Sequence, residues 1–203
     1  MKKKIKEEIF CDMDGVLVNF KDAAVDSINE ALRKKNPPLN KIAKRIKNTL
    51  KRDFVMLSDL ERNSPTQCNH VTEYMYKLLE DDEEFWLNLE WMPRGKELWD
   101  SIRDSKPYIL TTPMEKVGSM SGKLKWVEKN IGLENVKGVI LSCDKKKYAQ
   151  DKNSKKINVL IDDFVQNIKP WIKEGGVGLQ YNHNDIDKIL EKLNQVKRLV
   201  KQH

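Results

Sequence analysis

The sequence predicts an α/β fold: a Rossmann-like parallel sheet with a small helical cap inserted after the first strand. Three short apolar runs are typical of buried parallel strands, and they are Ile9-Phe10-Cys11, Tyr108-Ile109-Leu110 and Val159-Leu160-Ile161. Residues 138–142 and 176–180 are weaker strand candidates. Apolar residues at three- and four-residue spacing predict helices over 97–103, 122–130 and 185–201. Strands that alternate with helices indicate a parallel sheet covered on both faces.

Residues 21–84 interrupt this alternation. Helix-like patterns cover 23–34, 42–51 and 71–79, and no strand pattern lies among them. Because this segment directly follows the first strand, we expect a helical cap of residues 21–84 above the carboxyl end of that strand, like a lid. Residues 1–20 and 85–203 then form the Rossmann-like core.

Composition limits the class of protein. The chain has 203 residues, enough for one domain with an insertion, and its three cysteines lack paired or metal-type spacing, which indicates reduced thiols. No apolar run of about 18 residues is present, and the basic start is not followed by the apolar stretch of a signal peptide. We therefore expect a cytoplasmic protein without a membrane partner, either a monomer or a homodimer. The net charge of +7 comes from lysines scattered along the chain, which favours solvated faces over a nucleic-acid partner.

Two carboxylates, Asp12 and Asp14, stand directly after the first strand and before Gly15. Alone, such an Asp-x-Asp-Gly pattern is more often a turn or a helix cap than a catalytic pair. At a strand end of an α/β sheet, however, the two acids can divide a phosphoryl transfer between them. Asp12 would attack phosphorus as a nucleophile, and Asp14 would protonate the leaving oxygen and later activate water.

Further polar groups recur after the later strands. Thr111 would bind the transferring oxygens, and Lys123 would place a positive charge beside the phosphate and the nucleophile. Asp162 and Asp163 follow another strand. Carboxylate and carbonyl oxygens suit magnesium, which would offset the repulsion between the nucleophile and a phosphate dianion. The predicted Mg²⁺ ligands are Asp12, Asp14 through its main-chain carbonyl, and a carboxylate of Asp162 or Asp163.

This ordered set resembles the motifs of the haloacid dehalogenase (HAD) superfamily of phosphohydrolases. Residues 10–17 are similar to its first motif, 109–112 to its second, Lys123 to its third and 160–163 to its fourth. The resemblance covers residues 9–163 and implies a HAD fold. An acid at the position of Asp14 is typical of the phosphatases of this superfamily, and a helical insertion between the first and second motifs is similar to its first type of cap.

Two segments, 85–95 and 111–113 together with 123–129, are similar to the 5'(3')-deoxyribonucleotidases. The resemblance implies that Phe85 and Trp86 line a nucleoside pocket, that Leu87 adds a backbone contact to the base, and that Thr112 and Lys145 contact phosphate. Aromatic residues also fill cores, so a packing role for Phe85 and Trp86 stays open. The chain departs from that family at Phe164, where arginine is frequent, and over cap residues 36–70.

The predicted function is a magnesium-dependent phosphomonoesterase. It would hydrolyse deoxyribonucleoside 5'- or 3'-monophosphates through an aspartyl-phosphate, with a small-molecule nucleotide as its partner. One alternative is a HAD phosphatase that acts on a sugar phosphate or on a 3'-phosphorylated nucleic-acid end. The other is a catalytically silent binding module with the same fold.

Overall fold

The computed structural model describes residues 6–61, 68–150 and 156–202. Five parallel strands form one sheet in the order β3-β2-β1-β4-β5. The strands are β1 (Lys6–Cys11), β2 (Tyr108–Thr111), β3 (Gly138–Leu141), β4 (Lys156–Asp162) and β5 (Val177–Gln180). The predicted α/β class is confirmed, and all five predicted strand positions carry strands.

The described helices lie between the strands and after the last of them. They are α1 (Phe20–Arg33), α2 (Asn40–Leu50), α3 (Leu57–Glu61), α4 (Cys68–Leu79), α5 (Glu83–Leu87), α6 (Gly95–Ile102), α7 (Val117–Asn130), α8 (Val165–Lys173) and α9 (Ile186–Gln202). The helices α3, α5 and α8 were not predicted. None of the helices in the described ranges combines the length and the apolar character that a bilayer crossing requires.

The chain folds into two compact units. The sheet unit comprises residues 1–19, 91–113 and 127–203, and the helical unit comprises 20–90 and 114–126. The predicted cap ended at residue 84, whereas the helical unit also takes in 85–90 and the first ten residues of α7. Residue 20 also lies in the helical unit rather than in the predicted core.

Apolar packing on the α8 side holds the sheet unit together. Phe10 stacks on Tyr108 with 5.1 Å between ring centroids and meets the edge of Trp171 at 5.3 Å. Leu110 and Leu160 are buried in the same cluster. The C-terminal helix α9 packs against β1, β5 and α6. Because β1 and β4 are central strands, burial of their side chains fixes the register of the sheet.

The helical unit has a core of its own. Its buried residues come from the apolar faces of α1, α2 and α4, and they include Ile28, Leu32, Ile46, Val71 and Tyr74. The Tyr74 hydroxyl donates a hydrogen bond to the Pro38 carbonyl at 3.0 Å, which ties α4 to the link between α1 and α2. These helices each show the apolar stripe that the sequence predicted.

Candidate active site

The site lies at the carboxyl edge of the sheet, where the strand order reverses. From β1 the chain continues to β2 on one side, and after β3 it crosses to β4 on the other side of β1. Cys11 is in register with Ile161, and the Asp12 N–H donates to the Ile161 carbonyl at 2.9 Å. Asp12 therefore ends β1 beside Asp162, which ends β4. Such a reversal is where open α/β sheets bind ligands.

A tight turn after β1 places Asp14. The N–H groups of Leu17 and Val18 both donate to the Met13 carbonyl, at 2.8 and 2.9 Å, and Asp14 forms a bridge with Val18. Gly15 makes the turn with a φ of +75°, a conformation that residues with a Cβ adopt at a cost. A Cβ on Gly15 would also lie 2.5 Å from an Asp163 carboxylate oxygen. Gly15 is thus required both by the backbone and by the approach of Asp163.

Lys145 joins the two strand ends through its ammonium group. Its Nζ lies 2.8 Å from Asp12 Oδ1 and 2.7 Å from Asp162 Oδ2. Lys145 belongs to a short 3-10 turn between β3 and β4 and is 3% exposed, whereas Lys146 and Lys147 beside it are exposed. Burial lowers the pKa of Lys145, but the two carboxylates outweigh it, so that pKa is raised above its ordinary value. The lysine is therefore charged at neutral pH.

Asp162 is fully buried and accepts four hydrogen bonds. Besides the one from Lys145, the Phe164 N–H donates to Oδ1 at 2.8 Å, and Asn167 Nδ2 lies 3.2 Å from Oδ1 and 3.0 Å from Oδ2. Despite them, burial and the nearby Asp12 charge raise the pKa of Asp162 to about 6. Asn167 was missed from the sequence. The sequence feature that could have identified Asn167 is its position in the first turn of α8, which begins two residues after Asp163.

Three carboxylates form a cluster that suits a divalent cation. Asp12, Asp162 and Asp163 each offer one oxygen, and these oxygens lie within 4.8 Å of one another. Hard oxygen donors of this kind match magnesium. Burial first, and then the charge of Asp12, raises the pKa of Asp162, and a single lysine accompanies three carboxylates, so the donor set fits a divalent cation. The predicted contribution of Asp14 is its main-chain carbonyl, which is not among the carboxylate oxygens of this cluster, and it stays a prediction.

The two threonines after β2 occupy different environments. Thr111 is buried, and its carbonyl accepts a hydrogen bond from the Ser142 N–H at 2.9 Å. Thr112 is exposed, and its hydroxyl donates to the Ser142 carbonyl at 3.1 Å. These contacts fix the ends of β2 and β3 together. Thr111 therefore belongs to the same carboxyl edge as Asp12, one strand away.

The remaining predicted residues belong to the helical unit. Lys123 is buried, with its Nζ 4.7 Å from the centroid of the Trp86 ring. Trp86 is 1% exposed, stacks on Phe20 at 5.1 Å, and donates its indole N–H to the Leu79 carbonyl at 2.7 Å. Phe85 and Leu87 are half-buried. Trp86 thus has the contacts of a packed residue, whereas part of the Phe85 ring stays accessible.

No protein-family model matches the sequence. Among solved structures, the chain is similar to a hydrolase from Streptococcus pneumoniae TIGR4, with a TM-score of 0.51 and 14% identity over 93% of this chain and 98% of that one. It is similar to the HAD-hydrolase YfnB from Bacillus subtilis, whose structure is bound to magnesium, with a TM-score of 0.52 and 14% identity over 88% and 90%. A HAD phosphatase from Thermococcus onnurineus gives a TM-score of 0.50 and 13% identity over 88% and 87%. The chain has the fold of these HAD-type hydrolases.

Proposed function

We propose that the protein is a magnesium-dependent phosphomonoesterase that works through an aspartyl-phosphate. The observation that carries the proposal is the cluster of Asp12, Asp162 and Asp163, with the Lys145 ammonium group bound to the first two, at the point where the strand order reverses. The same fold occurs in a HAD phosphatase and in a hydrolase bound to magnesium, which supports the proposal.

Asp12 is the proposed nucleophile. Its two hydrogen-bond donors in the described part of the chain, the Met13 N–H and Lys145, both bind Oδ1. Oδ2 is therefore the oxygen that attacks phosphorus, forming the Asp12–phosphorus bond as the ester oxygen departs. Asp14 protonates that leaving oxygen, and in the second step it takes a proton from the water that releases phosphate.

The surrounding groups would balance the negative charge of the phosphoryl group and the nucleophile. The proposed magnesium ligands are the carboxylates of Asp12, Asp162 and Asp163 and the main-chain carbonyl of Asp14. A bound magnesium ion would neutralise charge on the phosphoryl oxygens. Lys145 supplies the fixed positive charge next to the nucleophile, the role that the sequence suggested for Lys123. Thr111 would bind a phosphoryl oxygen through its hydroxyl group and N–H.

The proposed substrates are deoxyribonucleoside 5'- or 3'-monophosphates. The support for this narrower proposal is the similarity of segments 85–95 and 123–129 to the deoxyribonucleotidases, together with the accessible ring of Phe85. Thr112 would reach phosphate only after its hydroxyl leaves the Ser142 carbonyl. Phe85 rather than Trp86 is then the aromatic residue that would contact the base.

Phosphate release tests the proposal. Wild-type protein is assayed with Mg²⁺ and with a chelator against a panel of nucleoside monophosphates and sugar phosphates. Asp12→Asn should abolish turnover, because an amide does not attack phosphorus, while the circular dichroism spectrum stays unchanged. Asp14→Asn should slow both steps. The matched control is Asp104→Asn, an exposed residue of the sheet unit that precedes β2 at the opposite end of that strand from Thr111, and it should keep full activity. Full activity of Asp12→Asn would disprove the mechanism.

A further inference from the structure

The positive charge of the chain is concentrated in one segment. Residues 31–52 contain nine lysines and arginines and no aspartate or glutamate. The other 181 residues contain 29 basic and 31 acidic residues. The net charge of +7 therefore arises from this segment alone, and the rest of the chain is slightly acidic. The sequence prediction of scattered lysines did not separate this segment from the others.

The fold places four of these nine charges on the exposed face of α2 and directly after it. Ile42, Ala43 and Ile46 are buried in the helical unit, which turns the opposite face of the helix toward solvent. That exposed face carries Lys41, Lys44, Arg45, Asn48 and, directly after the helix, Lys51. Residues three and four apart lie next to each other on a helix, so the cations form a continuous row about 15 Å long.

Neighbouring acids neutralise only part of this row. Asp53 binds Lys47 at 3.2 Å, and Asp59 binds Arg52. On α4, which packs against α2, Glu73 is held by Lys77 at 3.0 Å. In the part of the chain that the structure describes, no acidic side chain forms an ion pair with Lys41, Lys44 or Lys51. A row of like charges destabilises a helix by itself, which is the expected signature of a surface whose counter-charges come from a partner.

An aromatic ring continues the row. Phe54 follows α2 closely and is 49% exposed, and the Arg52 guanidinium lies 5.0 Å from the centroid of its ring. A cationic row next to an exposed ring is the pattern by which proteins bind single strands, with phosphates on the cations and a base on the ring. A membrane would need the apolar face of α2 to insert, and that face is buried.

We propose that the exposed face of α2, formed by Lys41, Lys44, Arg45 and Lys51, together with Phe54, binds single-stranded nucleic acid. The contact is sequence-independent, since it uses phosphates and one stacked base. This surface extends the protein beyond a mononucleotide phosphatase, because it provides a binding site for a chain of many phosphates. It does not depend on the identity of the reaction at Asp12.

Fluorescence anisotropy with a labelled 20-nucleotide DNA that carries no terminal phosphate tests the surface. The 203-residue protein is titrated at salt concentrations from about 50 to 200 mM. The test variant combines Lys41→Gln and Lys44→Gln with Lys51→Asn, because asparagine tolerates the left-handed backbone of residue 51. The matched control removes three exposed lysines of the sheet unit, Lys169→Gln, Lys173→Gln and Lys192→Gln, and so has the same net charge.

The test variant should lose affinity at least about tenfold at the lowest salt concentration, and the slope of log K against log salt should flatten by about 2 units. The control should keep the affinity and slope of the wild type to within about twofold. Phe54→Leu should weaken binding by about fivefold or more while leaving the slope unchanged. If the triple variant melts at a lower temperature than the wild type, Lys41→Gln and Lys44→Gln are tested singly, and each should flatten the slope by about 0.7.

Three outcomes would overturn the proposal. They are no binding of DNA by the wild type at the lowest salt concentration, an equal loss in the test variant and the control, and binding to anionic phospholipid vesicles without binding to DNA. The last would assign the basic face to a membrane surface. The probe has no phosphomonoester, so each outcome is independent of phosphatase activity.

Discussion

Replacing Lys145 with methionine should destabilise the protein strongly at alkaline pH. The ammonium group lies 2.8 Å from Asp12 and 2.7 Å from Asp162, and all three side chains are buried. Methionine has nearly the volume of lysine, so the substitution removes the charge without a large cavity. At pH 8, above the wild-type Asp162 pKa of about 6, the variant must either keep two buried carboxylates without a cation or take up a proton on one of them, and both cost stability.

The structure sets the size of the effect. Removing one partner from a buried ion pair costs about 3–5 kcal/mol, because the remaining charge is left uncompensated. At pH 5, Asp162 already holds a proton, so the variant leaves only the Asp12 charge without its partner. The loss there should fall to about 2 kcal/mol, the value of a single charged hydrogen bond. For a chain of this size, the loss at pH 8 corresponds to a decrease in melting temperature of about 6–15 °C.

Thermal and urea unfolding in chelator-containing buffer measure this difference. The control is Lys146→Met, the next residue of the same turn, whose side chain is exposed and whose loss should cost less than about 0.5 kcal/mol. The reasoning is refuted if Lys145→Met at pH 8 is as stable as Lys146→Met. It is also refuted if the loss is as large at pH 5 as at pH 8, because the cost would then not come from paired carboxylates.

Further substitutions test the neighbouring contacts, each by urea unfolding and by magnesium titration. Gly15→Ala should lower the free energy of unfolding by at least about 1–2 kcal/mol, because residue 15 has a φ of +75° and the new methyl group would clash with Asp163. It should also weaken magnesium binding, and unchanged binding would contradict the close approach of Asp163 to Gly15. Asn167→Leu should lower the free energy of unfolding by about 1.5–3 kcal/mol at pH 8, because it removes hydrogen bonds to the Asp162 carboxylate. An equal loss in Asn167→Ala at pH 4 would show that the side chain acts through packing instead. The pKa of Asp162 is raised from 3.8 to about 6, so the folded state binds that proton more tightly than the unfolded state, and stability falls as pH rises through this range. Without metal, Asp162→Asn should therefore gain about 2–2.5 kcal/mol relative to wild type between pH 4 and pH 8, and a constant difference would contradict the shift.

The strands and the edge of the site could be predicted because one physical rule governs both. Buried parallel strands need continuous apolar runs, and the carboxyl ends of those strands meet at one edge. The acids after residues 9–11 and 159–161 were therefore expected to lie together, and Asp12, Asp162 and Asp163 do so. The proposed roles of these acids in catalysis stay predictions.

Other features depend on packing that the sequence does not express locally. The helices α3 and α5 have five residues each, too few to show a helical period, and α8 contains Pro170, which normally ends a helix. The sequence also does not show which lysine of this turn is buried beside the acids. Three consecutive lysines, Lys145 to Lys147, have equal local context, and only the 3-10 turn decides which of them points inward.

The charges at the carboxyl edge explain why a cation would be favourable there. Asp12, Asp162 and Asp163 contribute three negative charges, and Lys145 supplies one positive charge, so the cluster keeps two negative charges. The pKa of Asp162 stays raised although the Lys145 ammonium and the Phe164 N–H both lower it. A proton relieves this excess at low pH, whereas a divalent cation would relieve it fully at neutral pH. We therefore expect magnesium to stabilise the folded protein more at pH 8 than at pH 5, where the proton on Asp162 competes with the metal.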